Sequence, residues 1–247
     1  MSRSPAQLWW RHMRWPLLAF AVASLFIWQF DLDLWVAREL FFSPASAHWL
    51  GAGAWWANDL IHHGGAWLVR LLGAAALCLW GISCFNRGWA GWRRPAGYLA
   101  LSMALTVGVV GALKALTNID CPWDLIPFGG HFPYEHLFDD RPDYLPHARC
   151  FPAAHASSGY ALMALYFVAL ERSQRMARMG LRIGIITGLV FGIAQQARGA
   201  HFLSHDVSSA AIAWVIASGL YAGAFRAQLW DMRHWPSMVL PVQSSAP

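Results

Sequence analysis

The stretch ALSMALTVGVVGALKAL, residues 100–116, is an almost wholly apolar run that ends beside Lys114, the only lysine of the chain. A run of this kind is typical of a membrane-crossing helix, which needs about 20 mostly apolar residues. A charge at the end of such a run is costly, so an ionisable residue there is by default functional. Arginine is abundant elsewhere in the chain. Position 114 therefore favours a compact ammonium over a planar guanidinium.

The composition of the chain is that of an integral membrane protein. Of the 247 residues, 57% are hydrophobic and 13% are charged, and the mean hydropathy is +0.36. A soluble domain carries about 25% charged residues, which excludes the soluble class. Sixteen tryptophans fit the aromatic belts at membrane surfaces. The net charge of +5 comes from arginines in short connections and does not indicate nucleic-acid binding.

Hydropathy predicts an all-α fold: a polytopic bundle of six transmembrane helices in a single domain over residues 1–247, with its core at about 16–226. The approximate bounds of the predicted spans are Pro16–Trp35, Gly65–Phe85, Gly97–Thr117, His155–Leu170, Leu181–Arg198 and Ser204–Phe225. Residues 118–152 are rich in Pro, Asp and aromatic residues. That composition predicts a long, ordered outer loop with little helix.

The placement of arginine predicts the orientation. Arginines precede the first span, follow the last one, and occupy the connections after the second and fourth spans, whereas most acidic residues lie in the other connections. By the positive-inside rule both termini face the cytoplasm. Lys114, His155 and His201 then all lie at the outer face, which predicts one site built from three segments. The arginines concerned are Arg3, Arg11, Arg14, Arg87, Arg93, Arg94, Arg172, Arg175, Arg178, Arg182, Arg226 and Arg233.

Two of the four cysteines, Cys121 and Cys150, stand near the ends of the outer loop. On an oxidising face, a disulfide between them would close the base of that loop. The alternative is two separate buried thiols, because the sequence does not supply the Cα separation that decides. Cys78 and Cys84 lie in or just after the second span and are interpreted as packing residues.

A polar cluster precedes the second span and consists of Asn58, Asp59, His62 and His63. Such residues most often end a helix that lies in the membrane interface, which is the interpretation we favour. The alternative is that they line the entrance for a substrate.

Three short motifs carry most of the chemistry. They are Lys114-Ala-Leu-Thr-Asn-Ile-Asp-Cys121-Pro122, then Pro152-Ala153-Ala154-His155, and then QQARGAHFLSHD at residues 195–206. In this order they resemble the K-x6-R-P, P-S-G-H and S-R-x5-H-x3-D signatures of the type-2 phosphatidic acid phosphatase family of membrane lipid phosphatases. In motif terms the resemblance spans Lys114 to Asp206.

This resemblance implies a six-helix membrane core and metal-free phosphoryl transfer through a phosphohistidine. On the matching positions, His201 is the expected nucleophile, and His155 is the general acid that protonates the leaving oxygen. Lys114 and Arg198 are expected to stabilise charge on the phosphoryl oxygens. The backbone amides of Ala153 and Ala154 belong to a first helical turn, where amides bind anions whatever the side chain. The alternative for His155 is a polar helix-end residue that faces water.

The chain departs from the family pattern in its positive charges. Cys121 stands where the family has arginine, so a phosphate-binding guanidinium is missing there. Arg149, which adjoins Cys150, or Arg141 is expected to replace it. A second arginine position is occupied by Gln195, and Arg198 lies about one helical turn further on, from where it would reach the same phosphate.

The residue that orients the nucleophile also departs from the pattern, since His205 stands where the family has aspartate and Asp206 follows it. A partner must fix the tautomer of His201, and a carboxylate does this best while stabilising positive charge. Asp206 and His205 are therefore both candidates for this role.

A histidine pair at positions i and i+4 is also typical of a zinc site. In this alternative, His201, His205 and Asp206 would hold a metal. A metal ion held there would lie beside the positive charges of Lys114 and Arg198, which repel it. The sequence shows no third soft ligand for such an ion. We therefore expect no metal and no organic cofactor.

The expected function is that of a metal-free phosphatase acting on lipid phosphates or diphosphates at the periplasmic face of a bacterial inner membrane. Its expected partners are the lipid substrate and the bilayer. One alternative is a phosphotransferase that passes phosphate from a polyprenyl diphosphate to another lipid such as lipid A, because only the acceptor differs. The other is a non-catalytic membrane protein that binds an anionic lipid. The departures from the motifs favour it, whereas the presence of both histidines and Lys114 favours an enzyme.

Overall fold

The computed structural model of the protein describes residues 5–136, 139, 141–142 and 144–223. Arg3, Arg226, Arg233 and the last residues of the sixth predicted span lie outside this part of the chain. The fold is all-α, as predicted. Its helices are α1 Pro5–Gln29, α2 Leu32–Val36, α3 Gly65–Phe85, α4 Arg93–Leu116, α5 Ala154–Tyr160, α6 Leu165–Leu170, α7 Gln174–Ala197 and α8 Leu203–Ala222.

Segments whose turns are wider or tighter than those of an α-helix join these helices. The wider ones are the π-helical segments Ala37–Phe41 and Trp56–Gly64, and the second runs directly into α3. The 3₁₀ turns are Arg87–Trp92, Pro122–Asp124, Ile126–Phe128 and Ala161–Ala164. A short antiparallel ribbon pairs β1 Phe42–Ser43 with β2 His48–Trp49.

Within the part of the chain that the structure describes, three helical segments are long and apolar enough to cross a membrane: Trp56–Phe85, Arg87–Leu116 and Gln174–Ala197. A fourth forms if Trp9–Gln29 and Leu32–Phe41, which meet at a 75° bend, are one span. The segment Ala154–Leu170 is apolar but shorter, and the sixth predicted span corresponds to α8. The chain is thus a membrane protein, and the count of six spans stays a prediction.

The bounds of the first span differ most from the prediction. Pro16, predicted as its start, lies inside α1, and the helix ends at Gln29 instead of Trp35 because Asp31 adopts a left-handed conformation with φ of 46°. A proline inside a helix leaves the carbonyl four residues earlier without its donor. That carbonyl belongs to His12, and the indole Nε1 of Trp214 donates to it at 2.9 Å. Contact with α8 therefore supplies the hydrogen bond that Pro16 removes.

A stripe of glycines on α7 sets how closely the segment 154–170 packs. Gly180, Gly184, Gly188 and Gly192 recur every fourth residue and lie on one helix face. A Cβ on Gly184 would overlap the backbone of Met163, and one on Gly188 would overlap the ring of Tyr160. Small residues permit this close approach of two helices. The stripe therefore fixes the position of α5, whose first turn carries His155.

An aromatic cluster covers the outer end of the bundle and includes Trp49, Phe128 and Phe202. The rings of Trp49 and Phe128 lie 4.9 Å apart. Gly199, between α7 and α8, has a φ of 75° and lies against the indole of Trp49, so a side chain is excluded there for both reasons. The cluster thereby holds the connection that carries His201.

Candidate active site

His201 and His205 form the buried centre of the candidate site. His201 lies between α7 and α8, and His205 lies in the first turn of α8. Their Nδ1 atoms are 3.2 Å apart, and the residues are only 6% and 2% exposed. One Nδ1 must donate and the other must accept, which couples the tautomers of the two rings. Nε2 of His201 makes no hydrogen bond with a described residue, so this nitrogen is available to a ligand.

The first turn of α8 is fixed from two directions. The carboxylate of Asp33 accepts hydrogen bonds from the backbone N–H of Ser204 at 2.8 Å and from its hydroxyl at 2.5 Å. Asp33 therefore acts as a cap on α8, although it belongs to α2. The ring of His205 also packs edge-on against Phe151 at 5.2 Å and has a hydrogen bond to the backbone of Cys150. His205 is thus held in place against His201.

Asp206 does not reach His201, which corrects the interpretation of Asp206 as a group that orients the nucleophile. One residue along a helix is a rotation of about 100°, so Asp206 faces α7 while His205 faces the site. Its Oδ2 accepts a hydrogen bond from Nε2 of Gln196, and it lies against Gly192. Its Oδ1 is buried without a partner among the described residues. Of the two candidates, His205 is the one that contacts His201.

His155 lies in the first turn of α5 and is held on three sides. Its Nε2 is 3.2 Å from the carbonyl oxygen of Ile61, its ring stacks on Phe191 at 4.5 Å, and the ring of His62 lies 4.7 Å away. The first hydrogen bond of this turn runs from the N–H of Ser157 to the carbonyl of Ala153. The amides of residues 154–156 therefore have no intrahelical partner.

His62 belongs to the site, which corrects the favoured interpretation of its polar cluster as the end of an interfacial helix. Its Nδ1 accepts a hydrogen bond from Nε2 of Gln195 at 2.9 Å, and Oε1 of the same glutamine accepts one from Arg198 at 3.0 Å. Gln195, which replaces a family arginine, thus positions the arginine that follows it. His62 lies in the π-helical segment Trp56–Gly64, and such segments are frequent at functional sites.

Lys114 completes the positive charge around His201. It lies half-buried in the last turn of α4, and within the described residues its ammonium has neither a hydrogen bond nor an ion pair. Burial is the main cause that lowers the pKa of His201 well below its usual value, and nearby positive groups add to this effect. The standing positive charges are those of Lys114 and Arg198, and His205 and His155 act in the same direction whenever they are protonated. Four separate segments of the chain thus converge on His201, and its imidazole stays neutral at physiological pH.

Cys121 and Cys150 are joined by a disulfide, with their Cα atoms 5.2 Å apart. Arg141 does not replace the missing family arginine. Its guanidinium is instead held in a two-pronged ion pair with Asp120, at 2.7 and 2.9 Å. Arg149 is exposed, so its guanidinium is free to move in the solvent outside the site.

The disulfide also brings a sulfur atom to the histidines. Sγ of Cys150 lies 3.5 Å from Nδ1 of His201, and ligand atoms of Cys150, His201 and His205 all lie within 4.8 Å of one another. This is the third soft ligand that the sequence did not reveal. A disulfide sulfur is not a thiolate, however, and the thiolate is the form that binds a metal.

Two cavities flank the site. The larger, of about 1380 Å³, runs between α3 and α4 from His62 and His155 at one end to Arg93 and Arg94 at the other. Between these ends it is lined by apolar residues such as Leu77 and Val107, which are partly exposed at the side of the helix pair. The smaller, of about 590 Å³, lies between α1, α8 and the outer loop and reaches His205.

The family model of the PAP2 superfamily matches residues 95–229. This segment contains Lys114, His155, Arg198, His201 and His205, whereas His62 and the helices before α4 precede it. No curated protein and no solved structure gave a match. Family membership supports a phosphatase-type activity on phosphate esters. Because the match covers more than half of the chain, this protein belongs to the PAP2 superfamily.

Proposed function

We propose that the protein hydrolyses lipid phosphates or diphosphates without a metal ion, through a phosphohistidine formed on His201. The observation that carries this proposal is the buried pair of His201 and His205, with Nε2 of His201 unbonded and positive groups around it. A neutral imidazole that is held at one nitrogen and open at the other is a nucleophile ready for use.

In the first step, Nε2 of His201 attacks phosphorus and the bond from phosphorus to the lipid oxygen breaks. Nδ1 of His201 keeps its proton and donates a hydrogen bond to Nδ1 of His205, which leaves the lone pair of Nε2 for attack. The backbone of Cys150 is a second partner of the His205 ring. A ring that accepts at Nδ1 needs such an acceptor for its own Nε2 proton.

His155 supplies the proton that the departing lipid oxygen needs. The carbonyl of Ile61 holds its Nε2 proton, so the imidazolium form delivers the proton from Nδ1. The neutral ring that remains then takes a proton from water. The resulting hydroxide attacks phosphorus, the bond from nitrogen to phosphorus breaks, and phosphate leaves with His201 restored.

Lys114 and Arg198 stabilise the negative charge on the phosphoryl oxygens, which is the electrostatic contribution that usually dominates such reactions. Gln195 aims Arg198, and Lys114 has no competing partner among the described residues. The free amides at residues 154–156 add donors, and Ala153 begins that turn. Arg149 is proposed as a further phosphate ligand that moves in when substrate binds.

The lipid tail is proposed to lie in the cavity between α3 and α4. Positions 66 and 80 of α3 both line this cavity, and the 14 helical steps between them span roughly 21 Å at 1.5 Å per residue. Its apolar wall opens towards the bilayer, and His155 lies at one end. A phosphate at that end and a hydrocarbon chain along the groove match an amphipathic substrate.

Arginine placement supports an orientation with the site at the periplasmic face of an inner membrane and both termini in the cytoplasm. Arg93 and Arg94 lie at the opposite end of the α3–α4 cavity from His62 and His155. We further propose that residues 16–226 form one catalytic domain, because α1 packs on α8 and His62 precedes α3.

The test is phosphate release by purified, detergent-solubilised protein in chelator, across a panel of lipid phosphates and diphosphates. We expect release from at least one lipid, and loss of that release in His201→Ala and His155→Ala. The matched control is His147→Ala, which removes an exposed histidine of the outer loop. If His201→Ala keeps normal turnover, the proposal is wrong. Transfer to an added acceptor lipid with no release of phosphate would show a phosphotransferase instead.

A further inference from the structure

We propose that reduction of the Cys121–Cys150 disulfide creates a buried zinc site formed by Cys150, His201 and His205. The site occupies the same imidazoles that the proposed function uses for catalysis. Zinc binding to the reduced chain is therefore expected to switch the enzyme off, and this last step rests on the proposed function. The binding itself does not.

The geometry of the three ligand atoms fits tetrahedral zinc. Zinc binds nitrogen at about 2.0–2.1 Å and thiolate sulfur at about 2.3 Å. In a tetrahedron these lengths place two nitrogens roughly 3.3 Å apart and a nitrogen and a sulfur roughly 3.6 Å apart. The two Nδ1 atoms are 3.2 Å apart, and Sγ of Cys150 is 3.5 Å from Nδ1 of His201. Two of the three ligand-atom pairs are therefore close to the required spacing before any metal binds, and the remaining pair, Cys150 and His205, lies within 4.8 Å.

The disulfide closes this site by holding the sulfur in a covalent bond. Cys150 is fully buried, whereas Cys121 is partly exposed. A dithiol reductant therefore attacks Sγ of Cys121, and Cys150 leaves as the thiolate. The second thiol of the reductant then attacks the mixed disulfide at the reductant's sulfur, which releases Cys121 and yields the oxidised reductant. Two electrons pass from the dithiol to the protein.

Zinc binding would then force His201 into the tautomer that cannot attack phosphorus. The released thiol of Cys150 lies 2.8 Å from the carbonyl of Ala200, to which it can donate until zinc displaces its proton. A metal on Nδ1 of His201 takes the lone pair of that nitrogen. The remaining proton of the neutral ring must then lie on Nε2, which loses the lone pair needed to attack phosphorus.

A path for a cation leads to this site through the smaller cavity, whose lining does not include Lys114. The cavity of about 590 Å³ reaches His205, and its wall includes the carboxylates of Asp33, Glu135 and Asp139. Such acidic walls raise the local concentration of cations. The positive charges of Lys114 and Arg198, which act on His201, oppose the metal. The negative thiolate offsets this repulsion, which is why the site needs the reduced state.

The test uses two variants that break the disulfide equally but leave different thiols. Cys121→Ser frees Cys150, whereas Cys150→Ser frees only Cys121. Zinc binding to the full chain in detergent is measured by competition with a zinc-sensitive dye, and cobalt is then added to detect sulfur-to-metal charge transfer. We expect a zinc ion to bind Cys121→Ser and the dithiol-reduced wild type. We expect no such binding by the oxidised wild type or by Cys150→Ser.

Cys78 and Cys84 are present in every sample and supply the common background. Equal binding by the two variants, or no binding by the reduced wild type, would overturn the proposal. If Cys121→Ser does not fold, the reduced wild type decides alone. Because zinc binding is read without substrate, its outcome stands even if the chain releases no phosphate. If the chain does release phosphate, zinc is expected to abolish phosphate release by the reduced form, and chelator is expected to restore it.

Discussion

Nδ1 of His201 faces Nδ1 of His205 at a distance of 3.2 Å, and both residues are buried. An uncharged imidazole therefore stands where the family signature has a carboxylate. It can fix the tautomer of His201, but it cannot supply negative charge as the phosphohistidine forms. The positive groups around the phosphate carry a correspondingly larger share of the stabilisation.

The role of His205 is testable by substitution. Because His205→Ala leaves the His201 tautomer unfixed, we expect kcat to fall by about 10²–10⁴-fold. His205→Asp restores a carboxylate and is expected to keep activity, with the acidic limb of its pH profile moved to higher pH because the negative charge raises the pKa of His201. Asp206→Asn is the matched control, since Asp206 bonds Gln196 instead. Wild-type turnover by His205→Ala would contradict the assignment.

The lowered pKa of His201 predicts a pH dependence of stability. The folded protein keeps this ring neutral, whereas the unfolded chain takes up a proton below about pH 6.5. The contribution of His201 is therefore fully present above pH 6.5 or so and is lost as the pH falls, by at most about 1.4 kcal/mol per pH unit.

His201→Gln removes this titration. Thermal unfolding of both proteins between about pH 7.5 and pH 5.5 is expected to show a smaller loss of stability in the variant. An equal loss in both proteins would mean that His201 is protonated in the folded state.

The two candidate arginines are expected to differ in their effect. Arg198 is aimed at the site by Gln195, whereas Arg149 is exposed. Because a preorganised charge contributes most, Arg198→Ala is expected to lower kcat/KM by about 10²–10³-fold, and Arg149→Ala is expected to lower it less. Steady-state kinetics on one lipid phosphate measures both. A larger loss of kcat/KM in Arg149→Ala than in Arg198→Ala would mean that Arg149 is the preorganised phosphate ligand and Arg198 is not.

The α3–α4 cavity offers a test of the lipid tail with a control on the same helix. Gly108 lines the cavity and has open space where a Cβ would lie, and so does Gly111, which is outside the cavity lining. Gly108→Leu fills part of the groove and is expected to raise KM for a long-chain phosphate while leaving a short-chain one unchanged. Gly111→Leu is expected to leave both unchanged. Equal KM values for Gly108→Leu and wild type on the long-chain substrate would show that the lipid tail does not lie in this groove.

Hydropathy predicted the helical segments well because a bilayer demands long apolar runs. The structure places α3 at Gly65–Phe85, the bounds predicted for the second span. The first span was predicted poorly, because Pro16 reads as a helix start unless the donor from Trp214, almost 200 residues later, is known. The glycine stripe of α7 was visible in the sequence at its four-residue spacing and would have predicted the close packing of residues 154–170.

The sequence predicted, from the placement of arginine, that Lys114, His155 and His201 share one region, because all three then lie at the same face of the helix bundle. It did not choose between His205 and Asp206, since one residue turns a helical side chain by about 100° and only the packing against α7 fixes that phase. It also missed His62, whose contacts with Gln195 and His155 span 133 and 93 residues of chain. Such contacts come from tertiary structure, which no local pattern encodes.

The central claim is that phosphate is carried on His201. Its most direct measurement is a rapid alkaline quench of the protein with a lipid substrate labelled in the transferable phosphate, followed by peptide mapping, because phosphohistidine survives alkali. The account predicts label on the peptide that contains His201 and its absence in His201→Ala. With a substrate whose leaving group departs without protonation, it predicts accumulation of the label in His155→Ala. Label on another residue, or turnover with no label on His201, would contradict it.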